Sequence, residues 1–593
     1  MITKLVLVLC LVAGPAAHAA TVYVNDYGAV GDGIADDGAA IHRAFLAMMA
    51  SKGPKTLVLT NGLTYYIGKG AGKYLFDIDS AKHITIRGQG AIVLLSAGMG
   101  LMSVRESSDI RLSGISVDYV PLPFADGLIR AVDSVGGFID VSVSEGFKMP
   151  PEGGPSGAPA EQAYFGMLWN SGRHGLLGTH YWVRDSKLVE GEHRVMRVWT
   201  TAAFKSWQDI KPTTTRISLP VSGVSHIGSY QVICILDAEN VFLDHVNIWS
   251  APCFAVVVSR NRGAVTFRDV NIVPKPGTGR LTSSWRDGFH VSSNYARLRW
   301  DDCRVEGTND DAFNLKTFTA SVISVKSPRR LVIRQNFPLD IVPYPKGDVI
   351  ALYDPQTGLL LGKARIARST GFCLSAEPVA PAITLELKRP IPRITAGCLL
   401  WNITSANPHT LLEHCQIFNS CRFHSPVTLD DCTLAALGWF YGDNIESPIP
   451  SRIRICNSRL FSGRGNPTHA IVFTVNMEKN GILPHSAEQP ISDIALTDNL
   501  IDGDCAFSNI RGLTLRNNRF ASDSIKLVLS NCRKVKLIHN VLSPAQITYS
   551  DNCTRLSTTL STTRVANKDT GDTSTKVRNG RFSPPDGSAA RSE

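Results

Sequence analysis

The residues of this 593-residue chain best placed to do chemistry are three aspartates. Asp287 sits in Trp285-Arg286-Asp287-Gly288-Phe289-His290. The adjacent pair Asp310 and Asp311 follows 23 and 24 residues later, in Asn309-Asp310-Asp311-Ala312-Phe313-Asn314. One strand-like segment, Ala296 to Val305, runs between them. If the chain coils with that period, the three carboxylates meet on neighbouring turns. A turn or bulge at Thr308-Asn309 would bring both members of the pair outward. Crowded carboxylates cannot all stay ionised, so one becomes a ready general acid and the others can activate water. That is the equipment for acid/base cleavage of a glycosidic bond. Two other readings stand beside it: three carboxylates also suit a calcium ion, and an Asp-Asp pair alone most often serves a turn.

Other side chains cluster around the trio in sequence. His290 is a sugar ligand or a turn histidine. Trp285 is a stacking platform or a packing residue. Asn314 and Lys316 share one face of a strand. Trp439-Phe440-Tyr441 and Glu446 fall in an expected long loop two or more coils later, lining a cleft or packed in the core.

Positioning such a trio requires a repeating scaffold, and the sequence contains one. Its unit is an alternating strand that ends in a polar pair followed by apolar residues. Examples are Phe242-Leu243-Asp244-His245-Val246, Thr266-Phe267-Arg268-Asp269-Val270, Trp300-Asp301-Asp302-Cys303, Leu412-Glu413-His414-Cys415 and Leu429-Asp430-Asp431-Cys432. Later copies include Ile455-Cys456-Asn457, Leu496-Thr497-Asp498-Asn499, Leu515-Arg516-Asn517-Asn518 and Leu537-Ile538-His539-Asn540. Alternation means strand, and irregular spacing near 20 residues means solenoid coils. No helical pattern fills the gaps. The expected fold is all-β: a right-handed parallel β-helix with Asn and Cys stacking at the turns. Asp301-Asp302 and Asp430-Asp431 lie within the repeat unit and read as structural.

A solenoid needs a cap over its open end. Asp36-Asp37 followed by Gly38-Ala39-Ala40-Ile41 predicts an acidic N-cap and a capping helix. Two strand-rich stretches interrupt the repeat and predict inserted small β-barrels. The expected organisation is a signal peptide over 1–19, cap and first coils over 20–120, and an inserted barrel over 121–225. Coils carrying the aspartates follow over 226–319, a second barrel over 320–400, C-terminal coils over 401–555 and a disordered Ser/Thr/Arg-rich tail over 556–593.

Composition narrows the class. Hydrophobic content is 44%, charged content 19% and formal charge +10, with no dominant Lys/Arg run, so nucleic acid is not an expected partner. The first 19 residues have Lys4, an apolar run and Ala17-His18-Ala19, the pattern of a secretory signal. The mature chain is expected in the periplasm or outside the cell, with no membrane contact after cleavage. No Cys or His spacing suggests zinc. The repeated cysteines read as small buried hydrophobes.

At the aspartates the chain resembles pectin-lyase-like β-helix glycosidases. Asp287 followed by Asp310-Asp311 is similar to the polygalacturonase arrangement. The Gly-His-Gly and Arg-x-Lys of that family are absent, which disfavours polygalacturonic acid. The chain more closely resembles glycoside hydrolase family 110, the inverting α-1,3-galactosidases. The shared features are an Asp-Gly-x-His segment, an Asp-Asp pair then Asn one coil later, and barrels inserted in a β-helix. The likeness covers most of 20–555 in architecture and is motif-specific over 285–317. Asn314-Leu315-Lys316-Thr317 departs from it where His and Gly would follow the asparagine. The resemblance implies hydrolysis of terminal α-linked galactose, with an oligosaccharide or polysaccharide as partner. It gives Asp310 as general acid and Asp287 with Asp311 as base. It implies no metal or organic cofactor, and carboxyl groups roughly 6.5–9.5 Å apart as in inverting pairs. The alternatives are a lyase or uronate epimerase on an acidic glycan, which would need calcium, and a non-catalytic glycan-binding β-helix.

Overall fold

The computed structural model describes residues 20–561. It leaves out 69–71, 154–164, 171–175, 202–206, 208–209, 222–230, 338–341, 371–381, 444–445, 447–448, 463–468, 477–488, 551–552 and 555–556. The expected signal segment lies outside the described residues, as does the tail from 562. The disorder expected from 556 is corrected at its start: Ser557–Ser561 forms a strand that pairs in parallel with Arg533–Val541.

The chain folds as a right-handed parallel β-helix. Its strands stack into one 22-stranded and one 12-stranded sheet, each strand pairing with those of neighbouring coils. The 12-stranded sheet matters most here, because it contains Val256–Ser259, Phe289–Ser292, Phe313–Lys316, Cys421–Phe423 and Gly438–Asp443 in consecutive rungs.

The polar pair of the repeat has a backbone explanation. One residue of each pair sits in the left-handed region: His245 (φ 52°), Asp269 (49°), Asp302 (56°), His414 (55°), Asp431 (50°), Asn457 (52°), Asp498 (58°), Asn517 (53°) and His539 (52°). Asn, Asp and His are the residues that tolerate this conformation best after glycine. A single such residue bends the strand at each coil, so the polar identity is conformational. Asp301-Asp302 and Asp430-Asp431 are turn residues of this kind.

Inside the coils the side chains stack. Phe289 lies on Phe313 at 4.9 Å, and the column continues through Phe423, Phe440, Phe473 and Phe507. Buried asparagines form two hydrogen-bonded ladders, Asn261–Asn294–Asn407 and Asn499–Asn518–Asn540, with side-chain links of 2.9–3.0 Å. Each amide also donates to a backbone carbonyl, so the polar groups are satisfied within the core. Most of the described cysteines are buried, and several thiols point at a carbonyl of the preceding coil.

Gly38–Ala50 is the one α-helix among the described residues. Ala40, Ile41, Ala44, Phe45 and Met48 form its buried stripe over the first coils. The expected acidic cap is arranged differently. Asp37 precedes the helix, but its carboxylate turns back to accept the amides of Val30 (2.6 Å) and Gly31 (3.1 Å). Asp36 accepts the Gly38 amide instead.

Two closed six-stranded antiparallel barrels interrupt the helix. The strands of the first run from Phe124 to Pro220 and those of the second from Ala320 to Asn402, each around its own apolar core. The first barrel holds the segment that leads into the aspartates. Its buried Asp126 accepts the Leu281 amide at 2.7 Å, and Ser218 meets Thr282. Burial pushes the Asp126 carboxyl up to about 6.

The turn argument has a direct test. Asp431→Val should cost about 1–3 kcal/mol, because a β-branched residue strains the left-handed region. Asp431→Gly should stay within about 0.5 kcal/mol of the native protein. Denaturant unfolding of the two variants checks this, and equal losses would contradict it.

Candidate active site

The aspartates converge because two segments stack in register. Phe289–Ser292 pairs with Phe313–Lys316, Phe289 opposite Phe313 and His290 opposite Asn314. The register extends backward. Gly288 and Phe289 donate to the carbonyls of Asp311 and Ala312, both at 2.9 Å, and Ser284 bridges Thr308. Asp287 therefore lies directly over Asp311, and Arg286 over Asp310. Gly288 permits the close approach, since a Cβ there would stand 2.7 Å from the Ala312 carbonyl oxygen. Asp310 and Asp311 both precede the strand that begins at Phe313, so pleating does not send them to opposite faces. The Thr308 hydroxyl fixes that turn by donating to the Asp310 carbonyl at 2.7 Å.

One carboxylate oxygen from each of Asp287, Asp310 and Asp311 lies within 4.8 Å of the others. These are the nearest oxygens of the three groups, whereas the roughly 6.5–9.5 Å expected of an inverting pair separates the acid and base carboxyl groups. The side chains of Asp287 and Asp311 are 3% and 6% exposed, while that of Asp310 is 16% exposed.

Each carboxylate has a named partner. The Asp287 Oδ2 to His290 Nδ1 distance is 2.6 Å. Arg286 donates from Nη1 to Asp310 at 3.1 Å. Asp311 lies 2.8 Å from Arg422 Nε, and Ser420 is 3.4 Å from its other oxygen. Burial raises the Asp287 carboxyl well above the ordinary range, reinforced by the charge of Asp310 and opposed by Lys316, Arg422 and Arg286. Burial also raises Asp311; Arg422 opposes this, while Asp310, Asp287 and Glu446 add to it.

Lys316 is buried. Its ammonium donates to Glu446 at 2.8 Å and lies 4.6 Å from the Phe318 ring centre. Arg422 Nη1 lies 3.6 Å from the other Glu446 oxygen. Burial works to raise Glu446, but Lys316 and Arg422 together outweigh it and hold the carboxyl below its usual range. Asn314 is buried among these groups, and its Oδ1 has no hydrogen-bond partner among the described residues. His290 packs against Phe254, the ring centres 4.2 Å apart.

The sequence-predicted residues thus divide. His290, Asn314, Lys316 and Glu446 join the aspartates. Trp285 does not: it is buried and stacks on Phe124 of the first barrel, 6.2 Å between centres, so it anchors the barrel and cannot meet a sugar. The expected loop at Trp439-Phe440-Tyr441 is a strand, Gly438–Asp443. Sequence reasoning missed Arg286, Ser420, Arg422 and the buried His424, which acts electrostatically on Glu446. For Arg422 and His424 the signal was present in Cys421-Arg422-Phe423-His424, whose alternation puts both polar residues on the outer face.

No family model matches this chain. Alpha-1,3-galactosidase A of Shewanella woodyi is 25% identical over 274 residues, covering 44% of this chain and 43% of that protein. Alpha-1,3-galactosidase B of Bacteroides thetaiotaomicron is 28% identical over 186 residues, 31% and 28% of the two chains. Alpha-1,3-galactosidase A of Streptomyces avermitilis is 21% identical over 456 residues, 68% and 70%. The chain thus matches less than half the length of the first two. Among solved structures, the Yersinia enterocolitica family 28 exopolygalacturonase aligns with a TM-score of 0.35 and 11% identity, over 92% of this chain and 78% of that one.

Burying carboxyls that resist ionisation should cost stability, with a definite sign in pH. A carboxyl raised in the folded state holds its proton where the unfolded chain has lost it. Its contribution to stability therefore falls as pH rises from its ordinary value, about 3.9, through the raised one. Asp287→Asn removes that penalty. We expect it to stabilise the protein by about 0.5–2 kcal/mol at neutral pH, with the gain vanishing toward pH 4. Thermal unfolding across pH checks this; a variant that is less stable at pH 7 would contradict it. Over part of its length the chain is thus similar to curated α-1,3-galactosidases, at 21–28% identity.

Proposed function

We propose that this protein is an exported glycoside hydrolase that removes terminal α-linked galactose, in α-1,3 linkage, from glycans. The observation that carries the reading is the convergence of Asp287, Asp310 and Asp311 within a nearly balanced set of charges. Four carboxylates, counting Glu446, face three permanent cations, Arg286, Lys316 and Arg422. A single proton makes the set neutral, and a carboxyl holding that proton can act as the acid. Lys316 and Arg422 are already engaged by Glu446 and Asp311, so the site suits a neutral sugar better than a uronate. Arg286 and Arg422 each engage one oxygen of Asp310 and Asp311, which lowers the net negative charge that would draw a calcium ion.

The carboxyls share protons as a group. Asp310, the most exposed of the three, is the member best placed to meet a glycosidic oxygen, in keeping with the role the resemblance gives it. It donates its proton as the C1–O bond breaks, and Arg286 then faces the carboxylate that forms. Asp287 and Asp311 hold a water, and one of them takes its proton as the oxygen bonds to C1. Galactose and the shortened glycan leave, with one water consumed. Attack by that water on the face opposite the leaving group inverts the anomeric centre.

The test is incubation with p-nitrophenyl α-galactoside and α-1,3-linked galactosides, following the released sugar by NMR. We expect β-galactose first; α-galactose first would establish retention, and no galactose from any substrate would overturn the assignment. Asp310→Asn should lower kcat by about 10²–10⁴-fold. Activity should survive EDTA. A chelator-sensitive reaction with an unsaturated product would replace this reading with a lyase.

A further inference from the structure

The outer face of the 12-stranded sheet carries a row of side chains through the site. His290 pairs with Asn314, Asn314 with Arg422, and Arg422 with Trp439. Residues paired across parallel strands project to the same side. Trp439 is therefore the next rung after the arginine that touches Asp311, and it is 40% exposed. No other tryptophan or phenylalanine among the described residues is a large exposed hydrophobic. A single exposed aromatic needs no explanation in itself. Its register with the candidate site is what gives it meaning.

Rungs are about 4.8 Å apart, so Trp439 lies about 10 Å along the sheet from Asn314. That is the reach of a second sugar ring beyond one seated at the aspartates. On the other side of His290 the row continues through Val257 and Cys234, which offer no ring. Phe254, nearby, is less exposed than Trp439 and packs on His290. Among the described residues the row is thus asymmetric: hydrogen-bonding groups in the middle and an exposed indole on the C-terminal side. An indole face matches the C–H face of a pyranose, as its ring is apolar with a polar N–H edge.

Resting on the glycosidase reading above, we propose that Trp439 forms a sugar-binding subsite for the ring that follows the cleaved galactose. The glycan then runs along the sheet toward the C-terminal coils. Trp439 acts by binding and makes no contact with the reacting bond.

The test compares methyl α-galactoside, which has no second ring, with an α-1,3-linked galactose trisaccharide. In Trp439→Ala the kcat/KM for the trisaccharide should fall about tenfold more than for the methyl glycoside. The loss should appear in KM, since the contact is kept from ground state to transition state. Trp439→Phe, which keeps a ring, should recover most of it and controls for folding. Equal losses on both substrates, or none on either, would overturn the subsite. If the native protein cleaves no galactoside, the glycosidase reading fails separately. Calorimetric titration with the trisaccharide then decides: weaker binding in Trp439→Ala supports the subsite, and unchanged or absent binding overturns it.

Discussion

Everything in this structure rests on the in-register stacking of one coil on the next. The backbone bonds from Gly288 and Phe289 to Asp311 and Ala312 place Asp287 over Asp311 without any contribution from the carboxylates themselves. They form across a gap that only glycine allows. Below them, Phe289 on Phe313 locks the same register from the core side. A slip of one residue would turn every side chain of the strand to the opposite face. The candidate site is thus a by-product of solenoid geometry, its aspartates sitting in the short turns that lead into stacked strands. Sites mounted on such elements hold their geometry more tightly than loop-borne ones.

That rigidity is what makes the charge cluster tolerable. Buried charges are costly even when paired, and like charges repel. Here the carboxylates and cations alternate: Arg286 with Asp310, Arg422 with Asp311 and Glu446, Lys316 with Glu446. The asparagine ladders and the phenylalanine column run past the site on satisfied or apolar contacts. They supply the stability that the cluster gives up. An isolated coil could not hold these groups together, because each partner comes from a different turn.

How much of this was legible in the sequence depends on distance along the chain. The strands, the turn residues and the aspartate spacing all lie within one coil length, where alternation and left-handed tolerance leave a pattern. The polar pairs were visible as a repeat, although their cause, a single left-handed residue, emerges only from the backbone angles. The partners of the aspartates were harder. Ser420 meets Asp311 from 109 residues away, because a barrel intervenes, and Arg422 lies just beyond it. No local pattern encodes that pairing. Trp285 was misleading for the same reason: its burial depends on Phe124, which belongs to the first barrel. Asp37 shows a subtler limit, since the sequence marks an acidic helix start but not which amides its carboxylate will choose.

The second barrel leaves the solenoid just after Lys316, and the Asn407 side chain donates back to the Lys316 carbonyl at 2.8 Å, 91 residues on. The chain thus exits and re-enters at nearly the same point. Loop-closure entropy grows only logarithmically, about 0.6 kcal/mol per doubling. Lengthening a coil from 24 residues to 91 is roughly two doublings, about 1.2 kcal/mol. A barrel with its own apolar core repays that easily. A solenoid coil is in this sense an open port in the fold: a whole module can be spliced beside the aspartates while the rungs on either side keep their places.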